Sequence, residues 1–141
     1  MNQPEHRFWN RVQPMLQGHV QRLESAISLG LPDVNICWHG REYWIELKVW
    51  TPGAGVLIRK EQWAWHNRRM ANGGCCFLLC GSCEEDEKDR AFFAPTSLLQ
   101  VKAYGTQNKY VVVTNSQDLT ITPMQNLRGF LKINLFTNPH G

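Results

Sequence analysis

Three ionisable residues interrupt runs that are otherwise apolar: Asp33 in Pro32-Asp33-Val34, then Glu46 and Lys48 in Ile45-Glu46-Leu47-Lys48. Between them His39-Gly40 offers a tight turn, so residues 33–48 read as an antiparallel hairpin. A turn of two residues, or of four from Trp38 to Arg41, pairs 38 with 41, 36 with 43 and 33 with 46. Asp33 then faces Glu46 with Cβ atoms about 5 Å apart, and alternation puts Lys48 on the same face. The opposite face collects Val34, Ile36, Trp38, Tyr43, Ile45, Leu47 and Val49, a continuous apolar surface suited to a core. Like charges directly across a sheet destabilise it, which calls for a compensating cation. Two close carboxylates can hold Mg²⁺ or Mn²⁺, with water and a phosphate oxygen completing an octahedron. Such an ion acidifies its water and clamps phosphoryl oxygens, while the lysine orients the water or offsets charge on a pentavalent phosphate. The same residues would also suit a salt-bridge ladder on a solvated strand face.

The surrounding elements must position these groups. Residues 4–17 read as a helix with Pro4 in its first turn and Phe8, Val12, Met15 and Leu16 on one stripe, ended by Gly18. A second short helix or an extended segment runs from about His19 to Leu29, and Gly30-Leu31-Pro32 launches the strand at Asp33. After the hairpin, 51–55 is a flexible Gly/Pro loop, and a helix spans about Arg59 or Lys60 to Ala71, closed by Asn72-Gly73-Gly74. Residues 75–80 form a short buried strand, 84–90 an exposed acidic loop, 91–94 a strand and 95–99 a helical turn. Tyr110 to Thr114 reads as an edge strand, and Pro123 to Leu131 as a terminal helix or turn. With no repeat and no linker, the expectation is one α/β domain over 1–141 with a mixed central sheet flanked by helices.

Composition narrows the class. The 141 residues, 43% hydrophobic and 19% charged, suit a globular domain. No apolar run approaches the roughly 20 residues that cross a bilayer, so no membrane association is expected. The polar first residues and five cysteines, an odd number, point to reduced thiols and a cytoplasmic setting. The net charge of +3 is uneven: residues 1–74 carry nine Lys/Arg against six Asp/Glu, while 75–141 carry six of each. A basic surround for an acidic hairpin suits a polyanionic substrate.

Gly30-x-Pro32-Asp33, twelve intervening residues and Glu46-x-Lys48 resemble the PD-(D/E)XK nuclease superfamily. The stretch from Glu24 to Gly81 is similar to its small phage-type branch, near the VRR-NUC and Holliday-junction-resolvase-like nucleases. The resemblance implies a restriction-endonuclease-like core over about residues 20–81, with 82–141 as a C-terminal extension of the same domain. It implies that Asp33 and Glu46 are metal ligands together with the Leu47 carbonyl, and that Lys48 is the catalytic lysine. It further implies that Glu24, on the helix before the hairpin, binds or positions metal, and that Gln62 orients the lysine or the scissile phosphate. The implied activity is Mg²⁺-dependent hydrolysis of DNA phosphodiesters, with Mn²⁺ as substitute. An endonuclease of phage or prophage type, acting on branched DNA in a host cytoplasm and open to homodimer formation, fits that branch. A non-catalytic nucleic-acid-binding or interaction module on the same fold is the alternative.

Other features are weighed beside these. Arg59, Gln62, His66 and Arg69 recur on one helical face, and with Lys60 they form a cationic stripe suited to DNA phosphates, or an ordinary solvated face. His66 as a general base competes with plain packing. Trp44 shares the charged face of the hairpin, where it would stack on a base or pack at a rim. Cys80-Gly81-Ser82-Cys83 has metal-ligand spacing, but the cysteines fall in or beside an apolar strand and lack a second pair, which argues against structural zinc. The glycines at 53–55 lack the Lys-Ser/Thr of a phosphate-binding loop, and the acidic run lacks Ca²⁺-loop spacing.

Overall fold

Two left-handed residues close the hairpin. His39 (φ 49°) and Gly40 (φ 76°) both lie in the region that a two-residue turn between right-twisted strands requires. They join β2 (Val34–Trp38) to β3 (Arg41–Val49) in the expected register, Trp38 with Arg41, Ile36 with Tyr43 and Val34 with Ile45. Continuing one step sets Asp33 across from Glu46. The computed structural model describes residues 2–24, 29–50, 55–82, 89–113 and 121–136. The expected loop at 51–54, the acidic run at 84–88, Cys83 and Thr114 lie outside the described residues.

Helix α1 (Gln3–Val12) is capped by Asn2, whose side chain accepts the Glu5 N–H at 2.9 Å. It stops earlier than the apolar spacing suggests, because Pro14 cannot continue an α-helix and a 3₁₀ turn takes over at Gln13–Met15. Of the two readings for 19–29, the extended one holds at its start: β1 (His19–Arg22) pairs antiparallel with β2, Val20 beside Ile36. Long-range pairing decides there what local pattern left open. Beyond the hairpin come β4 (Leu57–Arg59), α2 (Lys60–Ala71) and β5 (Cys75–Gly81), the last pairing parallel to β3 with Glu46 beside Leu78. A parallel neighbour needs a crossover, and α2 supplies it. Strand β6 (Arg90–Pro95) and β9 (Ile121–Pro123) extend the sheet to the order β1-β2-β3-β5-β6-β9.

A second, smaller sheet was not legible in the sequence. It joins β4, β8 (Lys109–Val113) and β7 (Gln100–Ala103), with β8 in the middle. The edge position expected for 110–114 is therefore wrong: Lys109–Val113 pairs on both sides, with Leu57–Arg59 and with Gln100–Ala103.

The mixed sheet is covered on both faces. On one, Phe8, Trp9 and Val12 of α1 and Leu127 and Leu131 of α3 (Leu127–Leu131) pack on Val34, Ile36, Ile45, Leu47 and Leu79. Each fully buried aliphatic side chain there contributes about 1.5–3 kcal/mol. On the other, α2 and the small sheet cover Leu78, Cys80, Phe92 and Ala94. Polar residues also enter this second layer, with Glu46, Gln62, His66 and Thr96 all buried. Among the described residues no helix is long and apolar enough to cross a membrane.

Gly30 sets the spacing between the hairpin and α2. At φ 89° it lies against the main chain of Glu61, and an added Cβ would overlap the Glu61 carbonyl. Gly30→Ala is expected to lower stability by about 2–4 kcal/mol, through strain and displacement of the α2 N-terminus. Urea unfolding of the two proteins measures the difference; a change within about 0.5 kcal/mol would mean that this close approach does not hold the layers together.

Candidate active site

The hairpin pins Asp33 from two sides. Its carbonyl accepts the Leu23 N–H at 2.8 Å and its Oδ2 accepts the Leu47 N–H at 2.8 Å. The carboxyl therefore sits over β3 beside Glu46. Burial, then the Glu46 charge and a hydrogen bond to the Glu46 carboxylate, push Asp33 up to about 8, against the opposing Leu47 N–H and Lys48 cation. Glu46 is 1% exposed, and burial raises its pKa while the bond from Asp33 and the cations of Lys48 and Arg59 draw it back.

Lys48 follows on the same face and donates from Nζ to Gln62 Oε1 at 2.8 Å. The same oxygen accepts the Arg59 N–H at 2.9 Å, so Gln62 at the third position of α2 reaches back to cap the helix. One buried amide thus closes the helix start and fixes the lysine. The adjoining cleft has a volume of ≈ 1060 Å³ and is lined by Asp33, Glu46, Lys48 and Gln62, with Glu5, Arg59 and Lys109 around them.

Behind Glu46 lies an unusual polar chain. Glu46 Oε1 and His66 Nε2 are both buried without a hydrogen-bond partner and face each other at 3.6 Å. His66 Nδ1 meets Thr96 Oγ1 at 2.9 Å. Burial and the Lys48 cation depress His66 to about 4. A buried carboxylate with an orphaned oxygen is expensive in a protein interior. The donor set fits a divalent cation: two adjacent carboxylates lining the cleft, with the Leu47 main chain beside them. Among the described residues no group of three or more His, Cys, Asp or Glu could hold a metal alone. Two carboxylates are the number that an Mg²⁺-like ion takes, keeping several waters and binding substrate phosphates besides.

Several expectations need correction. Glu24 is not on a helix; it follows β1, 73% exposed, paired with Arg22 at 2.6 Å, though it still lines the cleft. His66 is 0% exposed, so it cannot contact DNA, and the stripe from Arg59 to Arg69 is not one solvated face, because Gln62 and His66 turn inward. Arg59 and Lys60 remain exposed at the start of α2, Lys60 lying 5.5 Å from the Tyr110 ring. Arg69 stands at the far end, stacked against Trp44 and Trp65. Cys80 is fully buried and burial raises its thiol pKa, so it packs as a small apolar group.

Two cleft residues escaped sequence reasoning. Glu5, in the first turn of α1, reads locally as an ordinary helix-start charge, yet it lines the cleft and its charge raises the pKa of Glu46. Lys109 arrives from β8, whose pairing with β4 has no local signal.

No protein-family model matches the chain, and no curated protein matches it. Among solved structures it is similar to the Holliday junction resolvase Hjc of Archaeoglobus fulgidus, an archaeal hyperthermophile. The TM-score is 0.47 at 13% identity, over 81% of this chain and 90% of that one. At this distance the likeness says nothing about chemistry.

The carboxylate pair has a pH signature. Folded metal-free protein keeps a proton on Asp33 up to about pH 8, whereas the unfolded chain releases it near the ordinary 3.8, so stability falls as pH rises between those values. His66 acts oppositely between about 4 and 6.5, where the unfolded chain takes up a proton that the folded chain refuses. The window left to the carboxylates is about pH 6.5 to 8. In EDTA, the urea midpoint should drop across that window, and Asp33→Asn should flatten the drop. A midpoint that holds or rises there in the unsubstituted protein would contradict the raised Asp33 pKa.

Proposed function

We propose that the chain is a metal-dependent nuclease that hydrolyses DNA phosphodiester bonds. The convergence of Asp33, Glu46, Lys48 and Gln62 in one cleft carries this reading, with Lys48 fixed at 2.8 Å by the amide that caps α2. The sequence resemblance to resolvase-like PD-(D/E)XK nucleases adds the restriction-endonuclease-like core, and favours an endonuclease of phage type acting on branched DNA.

Asp33, Glu46 and the Leu47 carbonyl would hold Mg²⁺, or Mn²⁺ in its place. When bound, the ion supplies electrophilic activation of the phosphate and of the attacking water. The protein supplies the rest. Asp33 and Glu46 give up the shared proton as the site is loaded, so metal affinity rises with pH toward 8. Lys48 orients the nucleophilic water and offsets charge developing on the phosphoryl oxygens. Gln62 holds the ammonium in place, an ordering made before substrate arrives. Glu5 adds a third acidic side chain to the cleft, and Glu24 a fourth at its rim. Arg59, Lys60 and Lys109 provide cations for the flanking phosphates.

Supercoiled and four-way-junction DNA should be cut in Mg²⁺ or Mn²⁺ and left intact in EDTA. Asp33→Ala and Lys48→Ala should each lower the rate at least about 10²-fold. Cleavage that survives EDTA, or that persists in both variants, would overturn the assignment; binding without cleavage in every cation would make the cleft a nucleic-acid-binding module instead. The two outer carboxylates separate in the same assay. Glu5→Gln should cost about tenfold, and Glu24→Gln, whose partner is the solvent-side Arg22, less than Glu5→Gln.

A further inference from the structure

At the other end of α2 lies a second concavity, of ≈ 740 Å³, lined by Arg41, Trp44, Trp65, Arg68 and Arg69, with Glu42 the one carboxylate. The indoles of Trp44 from β3 and Trp65 from α2 meet edge to face at 5.2 Å. The Arg69 guanidinium carbon lies 4.9 Å from the Trp44 ring and 4.7 Å from the Trp65 ring, within cation–π range of both. Among the described residues no carboxylate pairs with Arg68 or Arg69, and both are exposed.

A cation at the last turn of a helix has an ordinary use, offsetting the carbonyl end of the dipole. Lysine would serve that use, and it needs no aromatic support. Contact with two rings does something further: it restrains a guanidinium, whose planar N–H fork can take two phosphate oxygens at once. The site is built on the same strand and helix as the cleft around Asp33 and Glu46, with different lining residues. Trp44 is two residues from Glu46 on the same face of β3, about 7 Å along the strand. Arg69 is seven residues from Gln62 along α2, about 10 Å. The two concavities thus lie along one strand and one helix, within the reach of a few nucleotides.

We infer that the Trp44–Arg69–Trp65 stack, with Arg41 and Arg68, is a phosphodiester-docking site that holds the nucleic-acid substrate at a distance from the cut. This rests on the nuclease reading for the identity of the ligand, but its test does not use cleavage. Three arginines against one glutamate select a polyanion, and the half-buried indoles lining the concavity suit a sugar or base beside the phosphate.

The test is anisotropy of a labelled DNA duplex and of its single strand with the 141-residue chain in EDTA, across a salt series. Arg69→Gln should weaken binding about tenfold and lower the slope of log K against log salt by about one. Arg69→Lys, which keeps the charge and loses the stacked fork, should retain the slope and still lose affinity several-fold. Circular dichroism melts of each variant report folding, and Arg68→Gln, fully on the surface, provides a second reading should Arg69→Gln melt early. Unchanged affinity in Arg69→Lys together with an unchanged slope in Arg69→Gln or Arg68→Gln would overturn the site. Equal displacement of DNA by poly-glutamate of matched charge would overturn its nucleic-acid class in favour of acidic peptide. Loss of binding in Arg69→Gln alongside undiminished cleavage by Lys48→Ala would leave docking intact and remove the catalytic assignment; the converse pair of results would do the reverse.

Discussion

Two carboxyl groups buried against each other are the constraint around which this molecule is arranged. Asp33 and Glu46 meet because a two-residue turn sets the register, and three neighbouring polar groups oppose the charge gathered there. The Leu47 N–H binds Asp33, the Lys48 cation lies one alternation away, and Arg59 contributes its charge from the start of α2. Behind the pair, Glu46 Oε1 faces only His66 Nε2 at 3.6 Å. Two adjacent carboxyls kept at a cleft spend stability on something other than folding, and a bound cation is the natural completion.

Helix α2 turns that constraint into a site. Its first turn carries Gln62, whose single oxygen caps the helix and restrains Lys48. Its middle carries His66, sealed behind Glu46 and braced by Thr96. Its last turn carries Arg69 on the two indoles. Gly30 brings the chain before β2 against this helix closely enough that no side chain fits between. Positioning, shielding and docking are therefore spaced along one rigid rod, and a shift of its N-terminus would move all three.

Much of this was legible in the sequence where information is local. Alternation along 33–49 announced both faces of the hairpin, and His39-Gly40 announced the turn, so Asp33 and Glu46 could be set opposite each other before any coordinates. Apolar spacing and Asn72-Gly73 likewise marked α2. What escaped depends on partners far along the chain. Residues 19–22 are a strand because β2 lies beside them, and β8 is central because β4 and β7 flank it; neither fact is encoded within a short window. Glu5 was not singled out because nothing nearby says that α1 begins over the cleft. His66 stayed open between a DNA-facing stripe and plain packing because the i, i+3, i+7 pattern marks a face of the helix but not which way that face turns. Gln62 and His66 show that this one is polar and buried, lying over a buried carboxylate.

Whether the carboxylate pair is a cation site decides the chemistry of the cleft. Crystals soaked in Mn²⁺ and measured for anomalous scattering address this directly. A peak is expected between the Asp33 and Glu46 carboxylates, about 2.1 Å from an oxygen of each, as for Mg²⁺. An anomalous map with no peak there under saturating Mn²⁺, with the two carboxyls still hydrogen-bonded to each other, would contradict it.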